Sequence, residues 1–171
     1  MVKHILFLRW WLMVAVVAVA GYFCHTFGIF SEILDKDMTY ISVVIGATFV
    51  IMSTWCGVKT FQLSQAIHKN KPDLIAKMEH QEEIGWFTAE TFTTLGFIGT
   101  IIGMIYALKG FIGINPSDIT SLQSLISDLV YGMSTALYTT LVGLVCSRLL
   151  MLQYFNLSQA RREAASNETE I

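Results

Sequence analysis

Apolar residues are collected into four long runs, which shorter polar stretches separate. The runs cover residues 10–30, 38–58, 91–108 and 129–147, and they are uncharged apart from His25. Each run is close to the roughly 20 residues of helix that cross the hydrocarbon core of a bilayer. Within that core a single segment satisfies its backbone N–H and C=O groups only as a helix. The pattern therefore predicts an all-α membrane protein with four transmembrane helices.

The first run could be mistaken for a cleaved signal peptide. It is longer than the 7–15 apolar residues of a signal-peptide core, and no A-x-A cleavage site follows it. We therefore expect the first helix to be retained.

The positions of Lys and Arg predict the orientation of the four helices. With the N-terminus inside, only two of the eleven Lys and Arg residues, Lys36 and Lys109, fall outside. The cytoplasmic residues are then Lys3, Arg9, Lys59, Lys69, Lys71, Lys77, Arg148, Arg161 and Arg162. Because basic residues concentrate in cytoplasmic loops, both termini are predicted to be cytoplasmic.

Composition excludes several classes of function. Charged residues make up 14% of the chain, against about 25% in a typical soluble domain, which argues against an ordinary water-soluble protein. The net charge of −2 gives no basic patch for nucleic acid. Cys24, Cys56 and Cys146 are isolated, which fits neither a metal site nor a disulfide framework. No Ser/His, Asp/Asp or HExxH arrangement lies within a run, so we expect neither an enzyme nor a cofactor.

Small residues recur at helical spacing in the third and fourth runs. Small side chains on one face allow helix backbones in a membrane to approach closely. The sequence therefore predicts that the two helices pack through these faces. The packing residues are Gly96, Gly99 and Gly103 in the third run, and Gly132, Ala136 and Gly143 in the fourth.

The same two runs are rich in hydroxyl groups and have one acid at their boundary. The residues concerned are Glu90, Thr91, Thr94, Thr135, Thr139 and Thr140. One interpretation is that each threonine bonds to a carbonyl of its own helix. The other is that the hydroxyls line an ion pathway, since a hydroxyl both donates and accepts hydrogen bonds. Glu90 is either part of that pathway or a solvated charge at the helix start.

One face of the third helix changes character along its length. Thr91, Thr94, Ile98, Ile102 and Ile105 share this face. It is polar at the predicted cytoplasmic end and apolar further out. Such a surface could admit water as far as a hydrophobic plug.

Two motifs in this region resemble those of a known family. The stretch LGFIGTIIGMI at 95–105 resembles the "LGLLGTVxGMI" signature of the MotA/TolQ/ExbB proton-channel family, and ALYTTLVGL at 136–144 is similar to its "ALxxTAxGL" segment. The resemblance covers about 90–150. The position of a frequent family Glu is Thr135 here, and a common Pro is replaced by Thr93.

The resemblance implies an assembly and a function. Members of the family form rings, typically pentamers, in the bacterial inner membrane around two copies of a single-span partner. That partner, of the MotB/TolR/ExbD type, carries a membrane-embedded Asp, and ion flow drives mechanical motion. Thr91 and Thr140 fall where the family places its pore-facing threonines. The chain is thus expected to be a homopentameric motor subunit, with both termini in the cytoplasm.

The expected organisation has four segments. Residues 1–58 form two lipid-facing helices, 59–88 a short cytoplasmic connection, 89–155 the two pore-lining helices, and 156–171 a polar cytoplasmic tail. The connection is too short for a large torque-transmitting domain. An uncoupled homo-oligomeric pore, or a holin-like scaffold, remains an alternative.

Overall fold

The computed structural model describes residues 2–37, 39–69, 79–112 and 119–169, and all regular secondary structure in these ranges is helical. The helices are α1 (Val2–Thr26), α2 (Ile29–Lys36), α3 (Ile41–Lys69), α4 (Glu79–Lys109) and α5 (Ile119–Thr169). Among them α3, α4 and α5 contain the stretches long and apolar enough to cross a membrane. These are Ile41–Gln65, Glu82–Lys109 and Ile119–Glu163.

The first apolar run differs from the prediction, because 10–30 is not one helix. Gly28 has φ +72°, in the left-handed region, and its N–H donates to the carbonyl of His25 at 3.1 Å. A left-handed glycine is a common way for a helix to end. The apolar part of α1 is therefore the shorter stretch Trp10–Thr26, and the eight-residue α2 follows it. The four predicted spans become three long apolar helices and one shorter one.

The other helices extend well beyond the apolar runs. The 51 residues of α5 correspond to about 77 Å, far more than the roughly 30 Å hydrocarbon core. This helix continues unbroken across position 155, where the sequence suggested the start of a polar tail. The predicted connection 59–88 is occupied by the last residues of α3 and the start of α4, while 70–78 lie outside the described residues.

A buried carboxylate precedes α3. Asp37, 3% exposed, accepts hydrogen bonds from the Thr39 N–H at 3.0 Å, the Thr39 hydroxyl at 2.7 Å and the Ser42 N–H at 2.9 Å. Burial by itself raises the pKa of this carboxyl group. The hydrogen bonds from Ser42 and Thr39 outweigh burial, so the pKa is held below its ordinary value. The negative charge also suits the positive end of α3.

The core lies where α3 packs against α4 and α5. Its fully buried side chains include Ile45, Cys56 and Leu63 from α3, Phe92 from α4, and Leu150 and Tyr154 from α5. The outer side of α3 exposes large apolar residues such as Ile51 and Trp55. The helix α1 reaches α3 through the Trp10 ring, which lies so close to Gly57 that a Cβ there would overlap it. Within this chain α3 covers one side of the α4–α5 pair, and the other side exposes apolar residues such as Ile101 and Leu144.

Candidate functional site

A single stripe of α4 is buried from one end of the helix to the other. Its residues recur three and four apart, which is the spacing of a helix that packs along a partner helix. The partner is α5, which runs antiparallel to α4. The buried residues are Glu82, Gly85, Ala89, Phe92, Gly96, Gly99, Gly103 and Ala107.

Glycines on this stripe bring the two backbones into contact. A Cβ at Gly103 would lie 2.7 Å from both the Gly132 carbonyl oxygen and the Ala136 nitrogen. At Gly143 a Cβ would lie 2.7 Å from the Phe92 carbonyl oxygen and 3.0 Å from the Cα of Gly96. Real Cβ atoms do not approach other atoms this closely, so a larger residue would force the helices apart. The structure thus brings the two backbones together at four predicted small residues, while the fifth glycine of the set, Gly99, faces the Thr139 side chain. The four are Gly96, Gly103, Gly132 and Gly143.

Thr135 and Thr139 are buried within this chain. They are 1% and 0% exposed. The Thr139 hydroxyl lies within hydrogen-bond distance of the Thr135 carbonyl at 3.0 Å and the Ala136 carbonyl at 3.1 Å, and the Thr135 hydroxyl donates to the Tyr131 carbonyl at 3.2 Å. A Cβ at Gly99 would lie 2.5 Å from the Thr139 hydroxyl oxygen. Both hydroxyls thus have carbonyl acceptors on their own helix.

Thr140 belongs to a different group, which crosses the interface. Its hydroxyl is 2.9 Å from the Ala136 carbonyl and 3.3 Å from the Gly96 carbonyl. The Thr100 hydroxyl is 3.1 Å from the same Gly96 carbonyl and 3.3 Å from the same Ala136 carbonyl. The two hydroxyls are also hydrogen-bonded to each other. The two hydroxyl protons of Thr100 and Thr140 have four possible acceptors, which are the two hydroxyl oxygens and the two carbonyl oxygens. Each hydroxyl can therefore change its hydrogen-bond partner.

Thr100 is the residue that the sequence did not single out for the site. It follows Gly99 in the glycine motif, and its side chain is half-buried, like that of Thr140. Its only sequence signal was membership of a hydroxyl-rich run. Its role becomes visible because the antiparallel packing of α4 and α5 places it level with Thr140.

Thr91, Thr94 and Glu90 lie on the side of α4 that α5 leaves uncovered. The Thr91 hydroxyl donates to the Phe87 carbonyl at 2.8 Å, and that of Thr94 to the Glu90 carbonyl at 3.2 Å. Glu90 and Thr94 are exposed, and Thr91 is half-buried. Further along the same face Ile98, Ile102 and Ile105 are 42%, 36% and 51% exposed. The structure thus joins Thr140 to Thr100, and leaves Thr91 about 13 Å further along α4.

The apolar stretches of α4 and α5 contain hydroxyls but no carboxylate or basic side chain. Residues 91–108 and 129–147 include no Asp, Glu, Lys, Arg or His. Within the described residues no group of three His, Cys, Asp or Glu side chains is placed to hold a metal ion. These two stretches can therefore solvate an ion through oxygens, but they contain no carboxylate, imidazole or amine that could hold a proton.

A small cavity lies elsewhere in the chain. Its volume is about 20 Å³, and its lining includes Trp10 and Met13 of α1, Thr60 of α3, and Gln153 and Asn156 of α5. No residue of α4 lines it. The cavity is therefore separate from the face of α4 that carries Glu90, Thr91 and Thr94.

Comparison with known proteins identifies the family. The model of the MotA/TolQ/ExbB proton channel family matches residues 49–171, more than half of the chain. The chain belongs to the MotA/TolQ/ExbB proton channel family. The match takes in most of α3 and all of α4 and α5, so the family region of this MotA/TolQ/ExbB protein includes the whole hydroxyl and glycine interface. Comparisons with curated proteins and with solved structures found no match.

Membership confirms the family that the two sequence motifs indicated. MotA/TolQ/ExbB proteins are membrane proteins of the channel and transport class. The long apolar helices agree with that class.

Proposed function

We propose that copies of this chain form a ring in the bacterial inner membrane and convert proton flow into mechanical motion. By analogy with the family the ring is a homopentamer, with both termini in the cytoplasm. It surrounds a single-span partner of the MotB/TolR/ExbD type, which carries a membrane-embedded Asp. In this arrangement α4 and α5 surround the central axis, and α1 and α3 face the lipid.

The observation that carries the proposal is the two-sided character of α4. One stripe is sealed against α5 by glycines, while the opposite side is uncovered along its whole length. That free side has Glu90, Thr91 and Thr94 at one end and three isoleucines beyond them. A lipid-facing helix needs no such polar end, whereas a helix that lines a water-filled entrance and then a dry constriction does.

The lack of a carboxylate in residues 91–108 and 129–147 supports the need for a partner. A proton at mid-membrane depth requires a titratable side chain, and such residues within spans mark ion pathways. Thr135 occupies the position where the family often has Glu, so the ring does not supply this group. An Asp on a partner helix would complete the pathway, with the Thr100–Thr140 hydroxyls as oxygen ligands beside it.

The energy available is sufficient for a motor. Each unit charge that crosses a membrane with a potential of 100 mV releases about 2.3 kcal/mol. A conformational step biased by this amount changes its equilibrium roughly fiftyfold, since 1.4 kcal/mol corresponds to a factor of ten. A few charges per step therefore suffice to drive motion in one direction.

The proposed segments follow from this arrangement. Residues 1–58 form the outer belt, 59–88 the cytoplasmic connection, 89–155 the pore-lining part, and 156–171 the cytoplasmic extension of α5. The long continuous α5 would carry motion from the membrane into that extension.

The deciding experiment is a search of the neighbouring genes for one that encodes a single span containing an Asp, followed by co-expression of its product with this chain. Native mass spectrometry in lipid nanodiscs should give five copies of this chain with two of the partner. The complex in liposomes should pass protons, and Asp→Asn in the partner should abolish that flux. A homo-oligomer that leaks without any partner would instead support the uncoupled pore, and a monomer would contradict both.

A further inference from the structure

An ion pair joins α4 to α5 at the end of their interface that is distant from Thr100 and Thr140. Arg161 Nε donates to Glu82 Oε1 at 2.9 Å. The side chains are only 14% and 8% exposed. The two residues are 79 positions apart in sequence, so the contact depends entirely on the packing of the two helices. The proposed function makes no use of this pair.

The neighbouring turn of the interface is also tightly fixed. The Tyr154 ring, 1% exposed, lies against Gly85, so closely that a Cβ at Gly85 would overlap it. Gly85 is one turn from Glu82 on α4, and Tyr154 is two turns from Arg161 on α5. The Tyr154 ring packed on Gly85 and the Glu82–Arg161 ion pair therefore both join α4 to α5 at the same end of the two helices.

This end of the interface differs physically from the rest. Contacts between small residues are close but have little directional preference, so neighbouring registers of two glycine-lined helices have similar contacts. An ion pair largely removed from water is different, because a shift that separates the two charges loses an attraction that is strong only at short distance. Glu82 and Arg161 can therefore select one register and one rotation of α4 against α5.

We propose that Glu82 and Arg161 are a positioning pair, which fixes the α4 surface carrying Glu90, Thr91 and Thr94 toward the ion pathway. Glu82 lies eight residues before Glu90, about 12 Å along the same helix. A rotation of α4 by one residue would turn that surface by about 100° away from its direction. This inference rests on the proposed function, since it assigns the pair a role in the same pathway.

Charge changes at the pair test the proposal. Glu82→Gln and Arg161→Gln are each expected to lower proton flux per assembled ring at least about tenfold, because a single change removes a charge-assisted contact that is largely shielded from water. The double exchange Glu82→Arg/Arg161→Glu should restore most of the flux. Glu83→Gln and Arg162→Gln are the matched controls, since these exposed neighbours carry the same charges. We expect both controls to stay within about twofold of the wild type.

A distance measurement separates positioning from channel activity. Spin labels at the exposed positions Phe87 and Leu152 report the arrangement of the two helices, in a Cys24→Ser/Cys146→Ser background in which Cys56 is buried at 0% exposure. The single charge variants should broaden or shift the label distance, and the exchange should return it to the wild-type value. This readout needs no ion flux, so it still decides the role of the pair if the proposed channel activity is absent.

Three results would overturn the proposal. The first is wild-type flux per ring and wild-type label distance in Glu82→Gln. The second is loss of flux in the single variants with an unchanged label distance. The third applies if the single variants do not assemble. In that case the double exchange variant decides, and a ring of that variant that assembles without the wild-type label distance contradicts the proposal.

Discussion

The hydroxyl groups of Thr100 and Thr140 are hydrogen-bonded to each other across the interface of α4 and α5. Both also approach the carbonyls of Gly96 and Ala136, so two side chains and two backbone oxygens form one group. The glycine contacts bring the helices close enough for short threonine side chains to meet. The close packing and the candidate ion ligands are therefore two consequences of the same interface.

Thr140→Val is expected to abolish coupled proton flux while the ring still assembles. Valine keeps the shape of the side chain but removes the hydroxyl, so the network loses a member that both donates and accepts. The measurement is proton uptake by liposomes that contain the complex, with native mass spectrometry as the check on assembly. Thr140→Ser, which keeps the hydroxyl, should retain most of the flux. Wild-type flux in Thr140→Val would return Thr140 to a packing role.

Thr139→Val is expected to leave proton flux unchanged. Thr139 is the neighbour of Thr140, but it is fully buried and its hydroxyl bonds only to carbonyls of its own helix. The change should cost about 1 kcal/mol of stability, the usual net value of one hydrogen bond. Flux and thermal unfolding measured on the same preparation check both parts. Loss of flux with normal assembly would show that Thr139 does reach the pathway.

Gly103→Ala is expected to destabilise the α4–α5 pair. The added Cβ would lie 2.7 Å from the Gly132 carbonyl oxygen, and that oxygen cannot move without the backbone of α5. Overpacking of this kind typically costs about 1–3 kcal/mol. Gly46→Ala is the control, since nothing lies within 4 Å of its added Cβ. Thermal unfolding in detergent should show a lower midpoint for Gly103→Ala only; equal midpoints would argue against the backbone contact.

Tyr154→Phe is expected to keep or raise stability. The Tyr154 hydroxyl is buried, and it has no hydrogen-bond partner among the described residues. Removal of an unsatisfied buried polar group is neutral or favourable by about 1 kcal/mol. Tyr154→Ala removes the ring that fills the Gly85 notch, and should cost about 3–5 kcal/mol. Chemical denaturation of both variants in mixed micelles provides the comparison. A clear loss of stability in Tyr154→Phe would mean that the hydroxyl is bonded in the assembled protein.

Asp37→Asn is expected to be less stable than the wild type at pH 7, but not in acid. The pKa of Asp37 is lowered in the folded chain, so its charge stabilises the fold above the unfolded-state pKa of about 3.9. That stabilisation is lost as the pH falls through the lower folded-state value. The difference between the melting temperatures of the two proteins should therefore shrink below about pH 4. A difference that is constant from pH 7 to pH 3 would contradict the role of the charge.

Much of the architecture could be predicted from the pattern of apolar residues. The hydrocarbon core offers no hydrogen-bond partners for backbone N–H and C=O groups, so a single span must satisfy them within its own helix. The runs 38–58, 91–108 and 129–147 could therefore be assigned as helices without tertiary information. The three-and-four spacing of small residues likewise predicted a packing face on α4. The break after α1 was missed, because a single glycine inside an apolar run gives no sign that it adopts a left-handed conformation.

The candidate site divided in a way that only the packing of α4 against α5 decided. Composition grouped Thr135, Thr139 and Thr140 together, because a sequence alone does not show which acceptor each hydroxyl meets. Consecutive residues on a helix differ by about 100° in direction, so Thr139 packs on Gly99 and bonds within its own helix, while Thr140 meets Thr100. The Glu82–Arg161 pair depends on the same contact between distant parts of the chain. The sequence determined which chemical groups the membrane helices contain, and the tertiary structure decided which of those groups meet.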